Sequence, residues 1–98
     1  MDKRKSKRLP ETLRAEKYAF FEDIDIGNIT LKDAVKRMRA LSGLTQQEFA
    51  MHRGVSISVI KKLETGTGNP TIKSINTIAA IFGLEVGLRK KSQDEENE

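Results

Sequence analysis

Ser58, Lys61, Lys62 and Thr65 stand at i, i+3, i+4 and i+7 in this 98-residue chain, so a helix would gather them on one face. Projected at about 100° per residue, Ile60 and Leu63 fall on the opposite side, and Ile57 and Val59 lie on the flanks. The polar face holds hydroxyls and ammonium groups and no acid. Such groups neutralise phosphates and hydrogen-bond to flat polar edges; they do not break bonds by themselves. Phosphate contact needs Lys or Arg. Reading base edges in a major groove needs small or hydrogen-bonding side chains near a helix N-terminus. A solvated surface helix would also have two faces, but the acid-poor polar face and a short glycine turn before it favour a helix that meets a polyanion.

Catalytic and metal chemistry find no comparable set. His52 is the only histidine and there is no cysteine, which excludes thiol nucleophiles, disulfides and thiolate metal sites. No Ser-His-acid grouping assembles around His52, and no phosphate-cradling glycine loop precedes a helix. Asp23, Asp25, Gly27 and Asn28 superficially match an oxygen-ligand calcium loop, but the downstream Glu is missing at the required spacing. The expectation is no enzyme, no cofactor and no metal.

The elements that must position the polar face are legible. Thr45 and Glu48 have the form of a capping box, so a helix starts near Gln46 and carries Phe49 and Ala50 inward. Gly54 supplies a sharp left-handed turn, Val55 plugs the corner, and Ser56 caps the next helix, which ends near Gly66. Upstream, Thr30 with Asp33 opens a helix whose buried stripe is Leu31, Ala34, Val35, Met38 and Leu41, with Lys32, Lys36, Arg37 and Arg39 on the rest. Downstream, Thr71 opens a helix with the stripe Ile72, Ile75, Ile78, Ala79 and Phe82, stopped by Gly83. Leu84, Val86 and Leu88 then alternate with Glu85, Gly87 and Arg89, the pattern of a half-buried strand. A lone strand cannot satisfy its backbone groups, and no second strand is evident. Its simplest partner is the same strand of a second subunit, antiparallel about a two-fold axis.

The flanks are simpler. Residues 1–9 read as a basic disordered arm that either follows phosphates or is a solvated tail. Residues 10–29 read as an N-terminal helix from Pro10 to about Phe21, then a linker from Glu22. Its aromatics Tyr18, Phe20 and Phe21 pack on the domain or a dimer mate, or dock a partner protein. Residues 30–83 form the central domain, 84–90 the dimerisation strand and 91–98 an acidic disordered tail. The net charge is +4. Residues 31–91 carry eleven basic and four acidic groups, residues 11–30 two basic and five acidic. The basic excess therefore coincides with the central body and the arm, as a polyanion partner requires. The longest apolar run, Ile78 to Phe82, cannot span a bilayer, and no apolar stretch follows the basic N-terminus. A cytoplasmic location with no membrane partner is the expectation.

Gln46, Ala50, Gly54, Val55, Ile60, Leu63, Glu64 and Gly66 resemble the helix-turn-helix pattern of lambda-repressor-like (XRE-type) DNA-binding domains. The downstream run GTGNPTIKSINTIAAIFGLEVGLRK resembles the HipB-like antitoxin branch of that superfamily. The likeness covers roughly Leu31 to Lys90. It implies an all-α, lambda-repressor-like bundle of 4–5 helices with one short C-terminal strand pairing across a dimer. Two positions depart from the pattern. Arg53 stands where an aliphatic residue is usual, and Ile57 where Gln, Arg or Lys is common. Ile57 either touches a thymine methyl or packs at the domain edge.

Residues and resemblance together give the expected working parts. Gln46 and its helix N-terminus sit against phosphate. Ser56, Ile57 and Ser58 approach base edges, and Lys61, Lys62 and Thr65 contact phosphate or flanking bases. Arg53 and the arm add sequence-independent affinity, and Glu64 is structural, paired with a nearby Arg or backbone group. A homodimer through Leu84, Val86 and Leu88 would set two recognition helices about one turn apart on a palindromic double-stranded operator. The resulting expectation is a transcriptional regulator, a repressor. The alternative is an antitoxin that also holds a toxin protein, through the aromatic segment or the tail from Ser92 to Glu98, and autoregulates its operon.

Overall fold

The computed structural model describes residues 10–90; the expected basic arm and acidic tail lie outside the described residues. Five α-helices follow in order: α1 (Pro10–Ile26), α2 (Leu31–Ser42), α3 (Gln46–Arg53), α4 (Ile57–Thr65) and α5 (Ile72–Ala79). A single 3₁₀ turn, Ala80–Phe82, extends α5.

The starts of α2 to α5 are capped as their sequences dictate. Thr30 accepts from the Asp33 amide, Ser56 from Val59 and Thr71 from Ser74. Thr45 and Glu48 form both halves of a capping box, at 3.1 and 2.9 Å. These bonds satisfy amides that the first helical turn leaves without an internal partner. α2, α3 and α4 each end at a glycine in the left-handed region: Gly43, Gly54 and Gly66.

The core gathers Phe20, Val35, Met38, Phe49, Ile60, Leu63 and Ile78, with Ala34, Ala50 and Ala79 between the helices. α4 packs on both α2 and α3, and α2 also meets α1 and α5. α2 is thus the central post against which the other helices are braced.

α1 is integral to this core. It runs one turn beyond the expected end near Phe21, so residues 22–26 are helical rather than linker. The cause is packing. Phe20 is fully buried, edge-on to Phe21 at 5.3 Å and to Phe82 at 5.9 Å, and Ile24 packs against the same cluster. The Arg37 guanidinium lies 5.4 Å over the Phe20 ring and pairs with Asp23 at 2.7 Å, tying the last turns of α1 to α2. Of the three aromatics, Phe20 and Phe21 turn to the domain while Tyr18 stays exposed.

Two apolar stripes are shorter than expected. Ile72 is exposed at the start of α5 and Leu31 at the start of α2. Each begins a helix whose first turn overhangs the core. The expected C-terminal strand is likewise not formed in the single chain: residues 84–90 have no regular secondary structure. Leu84 tucks against the core, its amide bonded to the Ala79 carbonyl. The Val86 amide donates to Asn76 Oδ1 at 2.7 Å. Beyond that anchor Leu88 is fully exposed.

Candidate nucleic-acid interface

The turn between α3 and α4 is built by three residues. Gly54 has φ +70°, a conformation that costs a residue with a Cβ about 1–2 kcal/mol. Val55 packs against the core from the corner, and its amide bonds the Ala50 carbonyl at 3.1 Å. Ser56 then spends its hydroxyl lone pair on the Val59 amide at 3.2 Å, leaving the hydroxyl proton free to donate outward.

α4 buries Ile60, Leu63 and Glu64 and exposes Ser58, Lys61, Lys62 and Thr65, so these four share one solvent face as their spacing requires. Ile57 is 37% exposed, at the edge between faces. Thr65 Oγ1 donates back to the Lys61 carbonyl at 3.0 Å and sits 3.0 Å from Thr67 Oγ1. The Lys62 stem lies across the following loop. A Cβ built on Gly68, itself at φ +76°, would come within 2.8 Å of Lys62 Cδ. Lys32 of α2 reaches the same loop, 3.4 Å from where a Gly66 Cβ would stand. Lys32 and Lys62 therefore line one shallow depression at the end of α4. Lys32 enters the basic patch only because α2 and α4 pack together.

A polar clamp fixes this face to the core. Glu64 is 5% exposed and accepts from Arg39 Nε at 2.6 Å, Arg39 Nη2 at 3.0 Å and Gln46 Nε2 at 3.1 Å. Arg39 Nη1 adds a bond to the Leu44 carbonyl at 3.1 Å. One carboxylate thus joins α2, α3 and α4 by charge-assisted, bidentate bonds. Burial alone pushes the Glu64 carboxyl up. Hydrogen bonds from Arg39 and Gln46, with the charges of Arg39 and Lys36, outweigh it and hold the pKa below its ordinary value. The hydrogen bond to Glu64 raises the Arg39 guanidinium in turn. The partner expected for Glu64 is therefore Arg39, a residue that α2's own pattern does not distinguish from its neighbours. Gln46 is the third member; its side chain faces Glu64, while α3's first turn sits at the domain surface.

Arg53 is not brought together with the α4 face. Its guanidinium lies 4.7 Å over the Phe49 ring, and among the described residues its one hydrogen bond is a long 3.5 Å contact to Ser42 Oγ. It lines a cleft beside α1 rather than the depression that holds Lys62. Leu84, Val86 and Leu88 lie apart as well. Leu84 and Val86 border a groove with Ile24, Ile29, Leu31 and Ile75.

Two short helices joined through a left-handed glycine, the second with a basic and hydroxylic face free, define a helix-turn-helix DNA-binding domain. The sequence model of the helix-turn-helix family (HTH_3, XRE-type) matches residues 35–88, and the chain belongs to that family. A protein of Methanocaldococcus jannaschii named as an uncharacterized HTH-type transcriptional regulator is 38% identical over 56 residues. The match covers 57% of this chain and 85% of the relative. No solved structure matches. The family points to DNA binding and not to an enzyme. Among the described residues no helix is long and apolar enough to cross a membrane, and no group of acidic or histidine side chains is arranged to hold a metal.

Proposed function

We propose that this chain is a sequence-specific regulator of transcription, a repressor that binds a palindromic operator in double-stranded DNA as a homodimer. The observation that carries this reading is the free face of α4, presented on a core-locked helix directly after the Gly54 turn. Ser56, Ile57 and Ser58 occupy the end of α4 that enters the major groove and approach base edges. Lys61, Lys62 and Thr65, joined by Lys32, meet phosphates or flanking bases. The N-terminus of α3 at Gln46 offers backbone amides to a phosphate. The Gln46 side chain acts through Glu64, setting the angle between α3 and α4. Arg53, turned into the cleft beside α1, is left out of this interface.

Two copies are favoured by the groove between α1, α2, α5 and residues 84–89, whose apolar lining includes the exposed side chains of Leu31 and Val86. Strand pairing through Leu84, Val86 and Leu88 about a two-fold axis would cover it and satisfy the backbone that the single chain leaves open. The HipB-like branch and a cytoplasmic location accord with this reading. Selection of bound sites from random duplex DNA tests it. The expected outcome is an inverted repeat with half-sites about one helical turn apart. An unsymmetrical site would remove the dimer, and no enrichment would remove sequence-specific binding.

The antitoxin alternative has one supporting observation: Tyr18 remains exposed at 69% on α1 while its aromatic neighbours turn inward. It requires a stable complex with the product of the adjacent reading frame, lost on Tyr18→Ala. Failure of the two to co-purify would end it.

A further inference from the structure

Arg53 occupies an unusual setting. Its guanidinium carbon lies 4.7 Å from the centre of the Phe49 ring, and its N–H groups donate in the guanidinium plane. Among the described residues Nε is buried with no hydrogen-bond partner, and the acceptor for the rest is Ser42 Oγ at 3.5 Å, a hydroxyl that already donates to the Met38 carbonyl. Partial burial lowers the Arg53 pKa.

Arg53 lines a cleft of about 330 Å³ between α1, the end of α2 and the 3₁₀ turn. Leu13, Phe21, Leu41, Ile81 and Phe82 supply apolar walls, and Lys17 adds a second cation. That volume lies at the small end of the range for small-molecule sites, roughly 300–1,000 Å³, and apolar walls with a few convergent polar groups are their usual make-up.

We propose that this cleft binds a small amphipathic carboxylate, its head group held by Arg53 and Lys17 and its apolar body laid against Leu13, Phe21 and Ile81. The guanidinium fork matches a carboxylate in geometry and charge, and the long 3.5 Å contact to Ser42 Oγ is a weak competitor for it. The apolar walls favour an occupant with an apolar body over a bare ion. The acidic residues 92–98 of the chain carry no apolar side chain and would leave those walls bare.

The test is calorimetric titration of the full-length chain with octanoate and, separately, with n-octanol, which keeps the tail and removes the charge. Octanoate is expected to bind saturably and octanol at least about tenfold more weakly, the scale of a lost charge-assisted hydrogen bond. Amide NMR shifts on adding octanoate should centre on Leu13, Lys17, Phe21 and Ile81. Arg53→Leu should weaken octanoate by at least about tenfold with the circular dichroism spectrum unchanged. Should that variant not fold, Ile81→Asp at the exposed rim carries the test, since it sets a charge where the apolar body would lie and should weaken octanoate without touching the core. Absence of octanoate binding overturns the proposal. So do equal affinity for octanol, shifts centred on Ile75 and Val86, or unchanged octanoate affinity in the folded variant.

Discussion

Glu64 and the lysines of α4 show how residues in one helix divide the work. Lys61 and Lys62 project to solvent, so replacing both with Ala should leave the fold intact. DNA affinity should fall by a similar factor on many sequences, and the salt dependence should flatten by about one unit per lost phosphate contact. An unchanged salt slope in binding titrations would remove both from the interface. Glu64 acts on stability instead. Arg39→Ala leaves the buried carboxylate with Gln46 as its remaining side-chain partner, which should cost about 3 kcal/mol in urea unfolding. The pH dependence has a definite sign. The folded Glu64 pKa lies below its unfolded value, so the clamp contributes fully above the unfolded value of about 4.3. That contribution is lost as pH falls through the folded value. Glu64→Gln should therefore flatten the stability profile below about pH 4.3 relative to the native chain.

At the scale of elements, the structure makes α1 and the Gly54 turn test cases. Phe20→Ala removes a fully buried ring at the meeting of α1, α2 and the 3₁₀ turn and should cost about 3–5 kcal/mol in denaturant unfolding. A cost near zero would mean that α1 is a loose appendage. Gly54→Ala meets no atom within 4 Å, so its cost is purely conformational, about 1–2 kcal/mol. The caps were legible because they are local: Thr30, Thr45, Ser56 and Thr71 each bond an amide three residues on. The length of α1 was not, because residues 22–26 are held by Ile24 packing and by the Asp23–Arg37 pair, contacts made across helices.

The whole molecule turns on what covers the groove beside residues 84–89. Val86→Lys places a charge where the proposed two-fold strand pairing would bury an apolar side chain. Sedimentation should then shift from dimer toward monomer, and a persistent dimer would refute pairing through this segment. Within one chain the segment is held by Leu84 against the core and by Asn76 at the Val86 amide. The alternation of Leu84, Val86 and Leu88 is a strand pattern, yet residues 84–90 form no strand in the single chain, and pairing with a second copy is what the sedimentation experiment tests.

By itself the sequence determined where α2 to α5 start, their caps, the glycine turn and the face on which Ser58, Lys61, Lys62 and Thr65 fall. All of these follow from spacing along a backbone of known period and from bonds no longer than one helical turn. Tertiary structure decided which cation meets which group. It selected Arg39 from the four cations of α2 to clamp Glu64 and brought Lys32 beside Lys62. It also turned Arg53 away from α4 onto Phe49 and set Asn76 under Val86. Those pairings depend on how α1, α2 and α4 pack, and a packing angle is a property of many side chains at once. No local pattern around Arg39 or Arg53 carries it.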